Sequence, residues 1–212
     1  ETEAKGLDKR AADRLKNQTF SGVDVVDGVV RLCAMNLFLH GVGGDPPPVE
    51  ARDALAQAAK ERYDVILTNP PFGKKSSYAV IGDDGAIARE SVDYERPDFI
   101  ATTSNKQLNF LQHIMASLKP GTGRAAVVLP DNVLFEGGAG EKVRRRLLDA
   151  FDFHTMIRLP TGIWYSPGVK ANVLFFDARP ASKEAQTRHL WIYDFRTNRH
   201  FTLKQNPLAD GH

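Results

Sequence analysis

The feature that most constrains the fold is an apolar strand that two prolines bring to an end. The run Val65-Ile66-Leu67 is followed almost at once by Asn69-Pro70-Pro71-Phe72. Two consecutive prolines fix φ and remove two backbone N–H donors, so a strand cannot continue through them. The sequence therefore predicts a strand that ends in a rigid loop, and this loop carries an amide and an aromatic ring.

The rest of the chain alternates strands with helices. Strands are predicted at residues 22–26, near Val49, and at 65–68, 124–129, 154–159, 173–176 and 190–193. Helices are predicted at residues 3–17, 27–40, 53–62, 108–118 and 141–150, with Asp27 as a cap of the second. Such alternation predicts an α/β fold with a mixed, mostly parallel sheet. No helix fits between the strands at 154–159 and 173–176, which predicts an antiparallel edge hairpin.

Composition limits the class of protein. A chain of 212 residues with 42% hydrophobic and 25% charged residues is typical of one globular α/β domain. No apolar run reaches membrane-spanning length, and a single cysteine excludes a disulfide framework. We therefore expect a cytoplasmic protein without a membrane partner. The net charge of +2 permits nucleic-acid binding without indicating it.

Three polar residues follow predicted parallel strands. Asp24 ends the first strand, Asp53 follows the second, and Asn69 follows the third. Ligands bind at the carboxyl edge of open α/β sheets, so these side chains would face one crevice. An amide, exposed carbonyls and the Phe72 ring would suit a planar base with an exocyclic amine. Alternatively, Asp24 is a turn residue and Asp53 caps a helix.

Other chemistries find little support. There is no phosphate-binding P-loop and no Gly-x-Ser-x-Gly nucleophile motif. His40, His113 and His154 lack the spacing of metal ligands, so we interpret them as structural and expect no metal. Residues 73–96 are rich in Gly, Ser and charge and predict a long loop. Within it, Lys74 and Lys75 either contact DNA or keep the loop soluble, whereas the basic run 144–146 predicts a solvated helix face.

The run Asp64–Gly73 resembles the catalytic motif of N6-adenine DNA methyltransferases. Further segments resemble, within that class, the modification subunit of type I restriction–modification systems; these are residues 35–41, 109–115, 128–135, 157–163 and 193–198. The resemblance covers the chain from about residue 20. It implies a Rossmann-like methyltransferase fold that uses S-adenosylmethionine. It also implies as partners double-stranded DNA, a specificity subunit, a restriction subunit and a second methyltransferase subunit.

The resemblance also implies roles for single residues. Asn69 and the Pro70 carbonyl would accept hydrogen bonds from the amine of a flipped-out adenine, Pro71 would shape the turn, and Phe72 would stack on the base. Asp24 would bind the cofactor ribose and Asp53 its adenine, with Asn69 bordering the cofactor as well.

One element of the resemblance is absent from the sequence. The Gly-rich cofactor loop and the first strand of the family would precede Gly22, and neither is present. We therefore expect residues 1–195 to be a partial catalytic domain and 196–212 the start of a carboxyl-terminal extension. The vacant strand position would be filled by rearrangement or by another segment. This fragment alone would bind the cofactor weakly or not at all and would be inactive.

Two other functions remain open from the sequence. Asn-Pro-Pro loops also serve enzymes that methylate RNA bases or protein glutamine, since both present planar amines. A catalytically inactive assembly or DNA-binding module is the second alternative.

Overall fold

The computed structural model describes residues 6–73, 77–81, 87–91, 93–164, 168–196, 201–202, 204 and 206–209. Its helices are α1 (Lys9–Gln18), α2 (Asp27–Leu39), α3 (Lys106–Ser117), α4 (Asn132–Phe135) and α5 (Ala139–Ala150). Its strands are β1 (Gly22–Asp24), β2 (Val49–Ala51), β3 (Val65–Thr68), β4 (Ser77–Ile81), β5 (Ile87–Ser91), β6 (Arg124–Pro130), β7 (Phe151–Arg158), β8 (Ala171–Ala178) and β9 (Trp191–Asp194). The chain divides into two compact units, Glu1–Gln57 and Ala58–His212.

The first unit contains α1, α2 and the parallel pair β1–β2. Helix α1 begins at Lys9 because Asp8 caps it, its side chain accepting a hydrogen bond from the Ala11 N–H. Helix α2 ends as predicted, with Gly41 in the left-handed region at φ +74°. The prediction that Asp27 caps α2 is wrong. Val26 holds that position, and Asp27 instead pairs with Arg31 one turn later.

The second unit is built on a five-stranded sheet with the strand order β3-β6-β8-β7-β9. Strands β3 and β6 are parallel, as are β7 and β9, whereas β8 runs antiparallel to both β6 and β7. Four of the five strands therefore point the same way. The mixed, mostly parallel sheet and the antiparallel hairpin β7–β8 are confirmed. The hairpin does not lie at the edge of the sheet, because β9 pairs with β7 and takes that position.

The core of the second unit lies between one face of this sheet and the helices. Strand β6 alternates buried and partly exposed residues, so that Ala125, Val127 and Leu129 point into the core. Leu108 and Leu111 of α3 are fully buried in the same cluster. The hydrophobic spacing that predicted α3 therefore identified its buried face correctly.

Among the described residues, β1 and β3 belong to different sheets. Strands β1 and β2 form a two-stranded sheet of their own, and β3 stands at one end of the five-stranded sheet. Within the described ranges no strand joins the two sheets.

Two predicted elements are wrong. No helix forms at residues 53–62, where the chain makes turns. The Asp53 carboxylate accepts a hydrogen bond from the Leu55 N–H, and this local bond competes with helix formation. Residues 73–96 are not one long loop, because β4 and β5 pair antiparallel within them. The Asp84-Gly85 dipeptide between these strands was the hairpin signal.

Candidate functional site

The loop Asn69–Phe72 lies where the sequence predicted it, directly after β3. Pro70 is buried and anchors the loop, Asn69 is exposed, and Phe72 is partly buried. Since β3 pairs in parallel with β6, this loop and the segment after Pro130 emerge at the same edge of the sheet. That edge is the ligand-binding edge of α/β sheets.

An aromatic contact joins the loop to a distant turn. The ring centroids of Phe72 and Trp164 are 5.2 Å apart with an interplanar angle of 84°, an edge-to-face pair. Trp164 follows β7, and its indole Nε1 is buried without a hydrogen-bond partner among the described residues. Local sequence spacing offered no signal for this pair.

A polar network surrounds Asp131, which directly follows β6 at the same edge. Its carboxylate accepts a hydrogen bond of 2.8 Å from Asn172 Nδ2. It also lies 3.4 Å from Arg158 Nη2 and 3.8 Å from Arg196 Nη1. Asn172 is 1% exposed, so the network reaches into the protein interior. The sequence prediction missed these residues; Pro130-Asp131 after a strand was the available signal.

Asp194, at the end of β9, completes the network. Arg196 donates to it through Nε at 2.8 Å and through Nη2 at 2.5 Å. This bidentate pairing holds the pKa of the Asp194 carboxyl well below its usual range and raises the pKa of Arg196. Both charges therefore persist at neutral pH and fasten the segment after β9 to the sheet edge.

The first unit brings Asp24 and Asp53 to one edge of its own small sheet. Asp24 ends β1, Asp53 follows β2 by two residues, and the Arg52 N–H donates to the Asp24 carbonyl over 2.9 Å. Each carboxylate also accepts one backbone N–H, from Val26 and Leu55 respectively, at 2.8 Å. Asp53 does not cap a helix. The two carboxylates are oriented by these bonds.

Asp24 and Asp53 belong to one unit and Asn69 to the other, so their meeting in one crevice stays a prediction. Lys74 and Lys75 lie outside the described residues. Of the basic run 144–146, the second and third side chains are exposed. The first, Arg144, donates instead to the carbonyls of Val133 and Glu136 at 2.8 and 2.7 Å. The solvated-face interpretation is therefore wrong for Arg144, which holds α4 to α5.

Two of the histidines that we interpret as structural lie next to other groups of the protein. His40 caps the end of α2, and His113 Nδ1 lies 3.1 Å from Arg96 Nη1. No group of side chains suited to a metal ion occurs in the part of the chain that the structure describes. None of the described helices is long and apolar enough to cross a membrane.

Comparison with known proteins identifies the class. The family model described as N-6 DNA Methylase matches residues 2–212, and the chain belongs to this family. It is 40% identical over 215 residues to the type I restriction enzyme EcoKI methylase subunit of Escherichia coli K12, covering 97% of this chain and 38% of that protein. The predicted resemblance to type I modification subunits is thus confirmed. The chain spans 38% of the length of this curated relative.

Solved structures agree with this assignment. The crystal structure of the EcoKI M protein superposes with a TM-score of 0.83 at 38% identity, covering all of this chain and 42% of that one. A putative class I S-adenosylmethionine-dependent methyltransferase from Listeria monocytogenes has a TM-score of 0.57 at 18% identity, over 82% of this chain and 48% of its own. The fold is that of the S-adenosylmethionine-dependent methyltransferases, as predicted.

Proposed function

We propose that the protein is an adenine-specific DNA methyltransferase that acts as the modification subunit of a type I restriction–modification complex. The observation that carries the proposal is the Asn69–Phe72 loop at the end of β3 in a chain of the N-6 DNA Methylase family. The methyl donor is S-adenosylmethionine, and the acceptor is the exocyclic nitrogen of an adenine flipped out of duplex DNA.

The loop suits this reaction because of what it exposes. The Asn69 side-chain oxygen and the Pro70 carbonyl accept hydrogen bonds from the adenine amine, which directs the nitrogen lone pair away from the loop and toward the methyl donor. Since Pro70 is buried and φ is fixed at two consecutive residues, the acceptors need little reorganisation during the reaction. Phe72 provides a face for stacking the base.

Asp24 and Asp53 fit the polar groups of the cofactor. Each is a carboxylate near a strand end that a backbone N–H orients, and carboxylate oxygens accept the hydrogen bonds that hydroxyl and amine groups donate. Asp24 would accept from the ribose hydroxyls and Asp53 from the adenine amine, and Asn69 would border the reacting centre. The cofactor supplies an activated methyl group when it is bound. Residues of this chain supply binding and orientation.

The proposed partners follow from the relatives. The matched proteins are named as subunits of type I restriction enzymes. We infer that the intact protein assembles with a specificity subunit that reads the DNA site, a restriction subunit and a second methyltransferase subunit. Co-purification of a tagged intact protein with these subunits tests the inference, and a monomeric protein that methylates DNA alone would contradict it.

The central experiment uses the intact protein in its complex. Unmethylated duplex DNA is incubated with S-adenosylmethionine, and the nucleosides are analysed by mass spectrometry for N6-methyladenine. The variant Asn69→Ala should lose at least about 100-fold in rate, since it removes an acceptor that orients the nucleophile. Asn17→Ala, an exposed asparagine of α1, is the matched control and should keep the wild-type rate.

The rival functions give different results in the same assay. Methylation of RNA or of protein glutamine, with none on duplex DNA, would overturn the choice of substrate. Binding of DNA with no methyl transfer to any substrate would indicate an inactive assembly module. A wild-type rate in Asn69→Ala would remove the proposed role of the loop.

A further inference from the structure

The Phe72 ring does not stand alone at the sheet edge. The edge-to-face contact with Trp164, at 5.2 Å and 84°, directs the edge of one ring at the face of the other. Such pairs have a preferred geometry because the edge of an aromatic ring is electropositive and its face electronegative. Trp164 therefore restricts the orientation that the Phe72 ring adopts.

The turn that carries Trp164 also lies against the main chain of Phe201. Gly162 has φ +87°, and a Cβ there would lie 1.9 Å from the Phe201 carbonyl oxygen. No side chain fits between them, so the backbone at Phe201 is in direct contact with the turn.

Phe201 is held by further aromatic contacts. It is 5% exposed, and its ring lies 5.9 Å from that of Phe195, which stacks on Tyr193 at 6.0 Å and 22°. We call Tyr193, Phe195 and Phe201 the aromatic clasp. The Phe195 N–H donates to the Arg158 carbonyl at the end of β7, which fixes the clasp to the sheet.

The ionic network secures the same segment. Arg196 donates to Asp194 through two nitrogens and lies near Asp131. Asp131 in turn accepts a hydrogen bond from Asn172 of β8. The charged pair flanks Phe195 in the sequence. Aromatic and ionic contacts thus anchor the segment after β9 to the carboxyl edge.

We propose that Trp164 is a positioning residue for Phe72, and that the aromatic clasp holds the turn that carries Trp164. The inference rests on the proposed function, in which the Phe72 ring faces the target base. If the plane of the Phe72 ring is fixed before the base binds, the base stacks on it without the entropic cost of ordering the ring. The segments at 157–163 and 193–198 carried part of the family resemblance, but no role was assigned to them. The proposal gives them a common role, which is to position the Phe72 ring.

A double-mutant cycle in the intact complex tests the first half. Trp164→Leu should lower kcat about tenfold with an unchanged KM for S-adenosylmethionine, since the loss of an aromatic pair is of this order. Trp164→Phe keeps an aromatic edge and should stay within about twofold of wild type. In a Phe72→Leu background, Trp164→Leu should add less than about twofold, because its effect passes through Phe72.

The exposed Trp191 provides the matched control. It is 76% exposed on β9, and Trp191→Leu should leave kcat unchanged. A full effect of Trp164→Leu in the Phe72→Leu background would overturn the proposal and would indicate that Trp164 contacts the base itself.

Two glycines test the clasp. Gly162→Ala forces a Cβ against the Phe201 carbonyl and should reproduce the kcat loss of Trp164→Leu. Gly168→Ala is the matched control, because Gly168 has a similar φ of +74° but no described atom within 4 Å of the place where a Cβ would lie. Equal losses in the two variants would mean that backbone strain alone is responsible, and the clasp would be rejected.

Near-ultraviolet circular dichroism separates this inference from the proposed function. The spectrum of Phe72→Leu is subtracted from that of wild type, and the same subtraction is made in a Trp164→Leu background. The signal by which the two difference spectra differ reports the contact between the two rings without any substrate. A nonzero indole signal supports the positioning contact even if the wild-type complex fails to methylate DNA. A zero signal in an active enzyme would overturn the positioning contact alone.

Discussion

The two units of the chain differ in how fully each buries its apolar side chains. In the second unit, α3 buries most of its length, and Leu108 and Leu111 are 0% exposed. In the first unit, α2 is richer in apolar residues than α3 but buries only Val30. Four of its apolar side chains are 62–81% exposed, namely Leu32, Met35, Phe38 and Leu39.

The difference teaches that apolar composition and packing are separate properties. A helix that is apolar on most of its surface is stable only when that surface is buried. The second unit has a core of its own, and it supports the Asn69 loop through β3 and β6. The first unit presents Asp24 and Asp53 on a two-stranded sheet, and two-stranded sheets are marginal by themselves.

The largest expected difference is in the free energy of unfolding, when leucine is replaced by alanine once in each unit. Leu174→Ala removes a side chain that is 1% exposed in β8 and should lower the free energy of unfolding by about 2–5 kcal/mol. Leu39→Ala removes one that is 81% exposed in α2 and should change it by less than about 0.5 kcal/mol. Urea unfolding of both variants measures the contrast. A large loss in Leu39→Ala would show that α2 is covered in solution.

A smaller effect is expected at the starts of the two helices. Asn105 caps α3, its side chain accepting from the N–H groups of Gln107 and Leu108, so Asn105→Ala should cost about 1–2 kcal/mol. Helix α2 has Val26 at the same position without a side-chain bond, and Val26→Ser should stabilise it by about 0.5–1 kcal/mol. Amide hydrogen exchange of each helix measures both changes. A neutral Asn105→Ala would contradict the assigned cap.

The acid dependence of stability should be the subtlest difference. Hydrogen bonds from Arg96 to Asp98 and from Arg196 to Asp194 lower the pKa of each carboxyl below its ordinary value of 3.8. Both residues are in the second unit. A lowered folded-state pKa adds stability above the unfolded value, and this is lost as the pH falls through the folded value.

The free energy of unfolding of the second unit should therefore decrease as the pH falls below about 4. Asp194→Asn should flatten this dependence, as measured by urea unfolding at a series of pH values. Glu184→Gln is the control, because Glu184 and its partner Arg188 are 80% and 78% exposed. An identical slope in wild type and Asp194→Asn would refute the role of the Asp194–Arg196 pair.

Local patterns predicted most elements of the second unit. The spacing of Leu108, Leu111 and Met115 identified α3, and short apolar runs identified β3 and β6, because burial on one face imposes a period on the sequence. The false helix at 53–62 and the missed hairpin β4–β5 have the same cause. In both places the sequence carries a turn signal that periodicity does not register: Asp53, whose carboxylate accepts from the Leu55 N–H, and the dipeptide Asp84-Gly85.

The sequence by itself determined where β3 stops, because two prolines cannot continue a ladder, and it determined the family through motifs that are local in the chain. Only the tertiary structure placed Trp164 against Phe72, Phe201 over Gly162 and Arg196 beside Asp131. Each of these pairs is separated by tens of residues, and its proximity depends on strand order and register. Local periodicity records which side of an element is buried, but it carries no information about which distant residue will lie there.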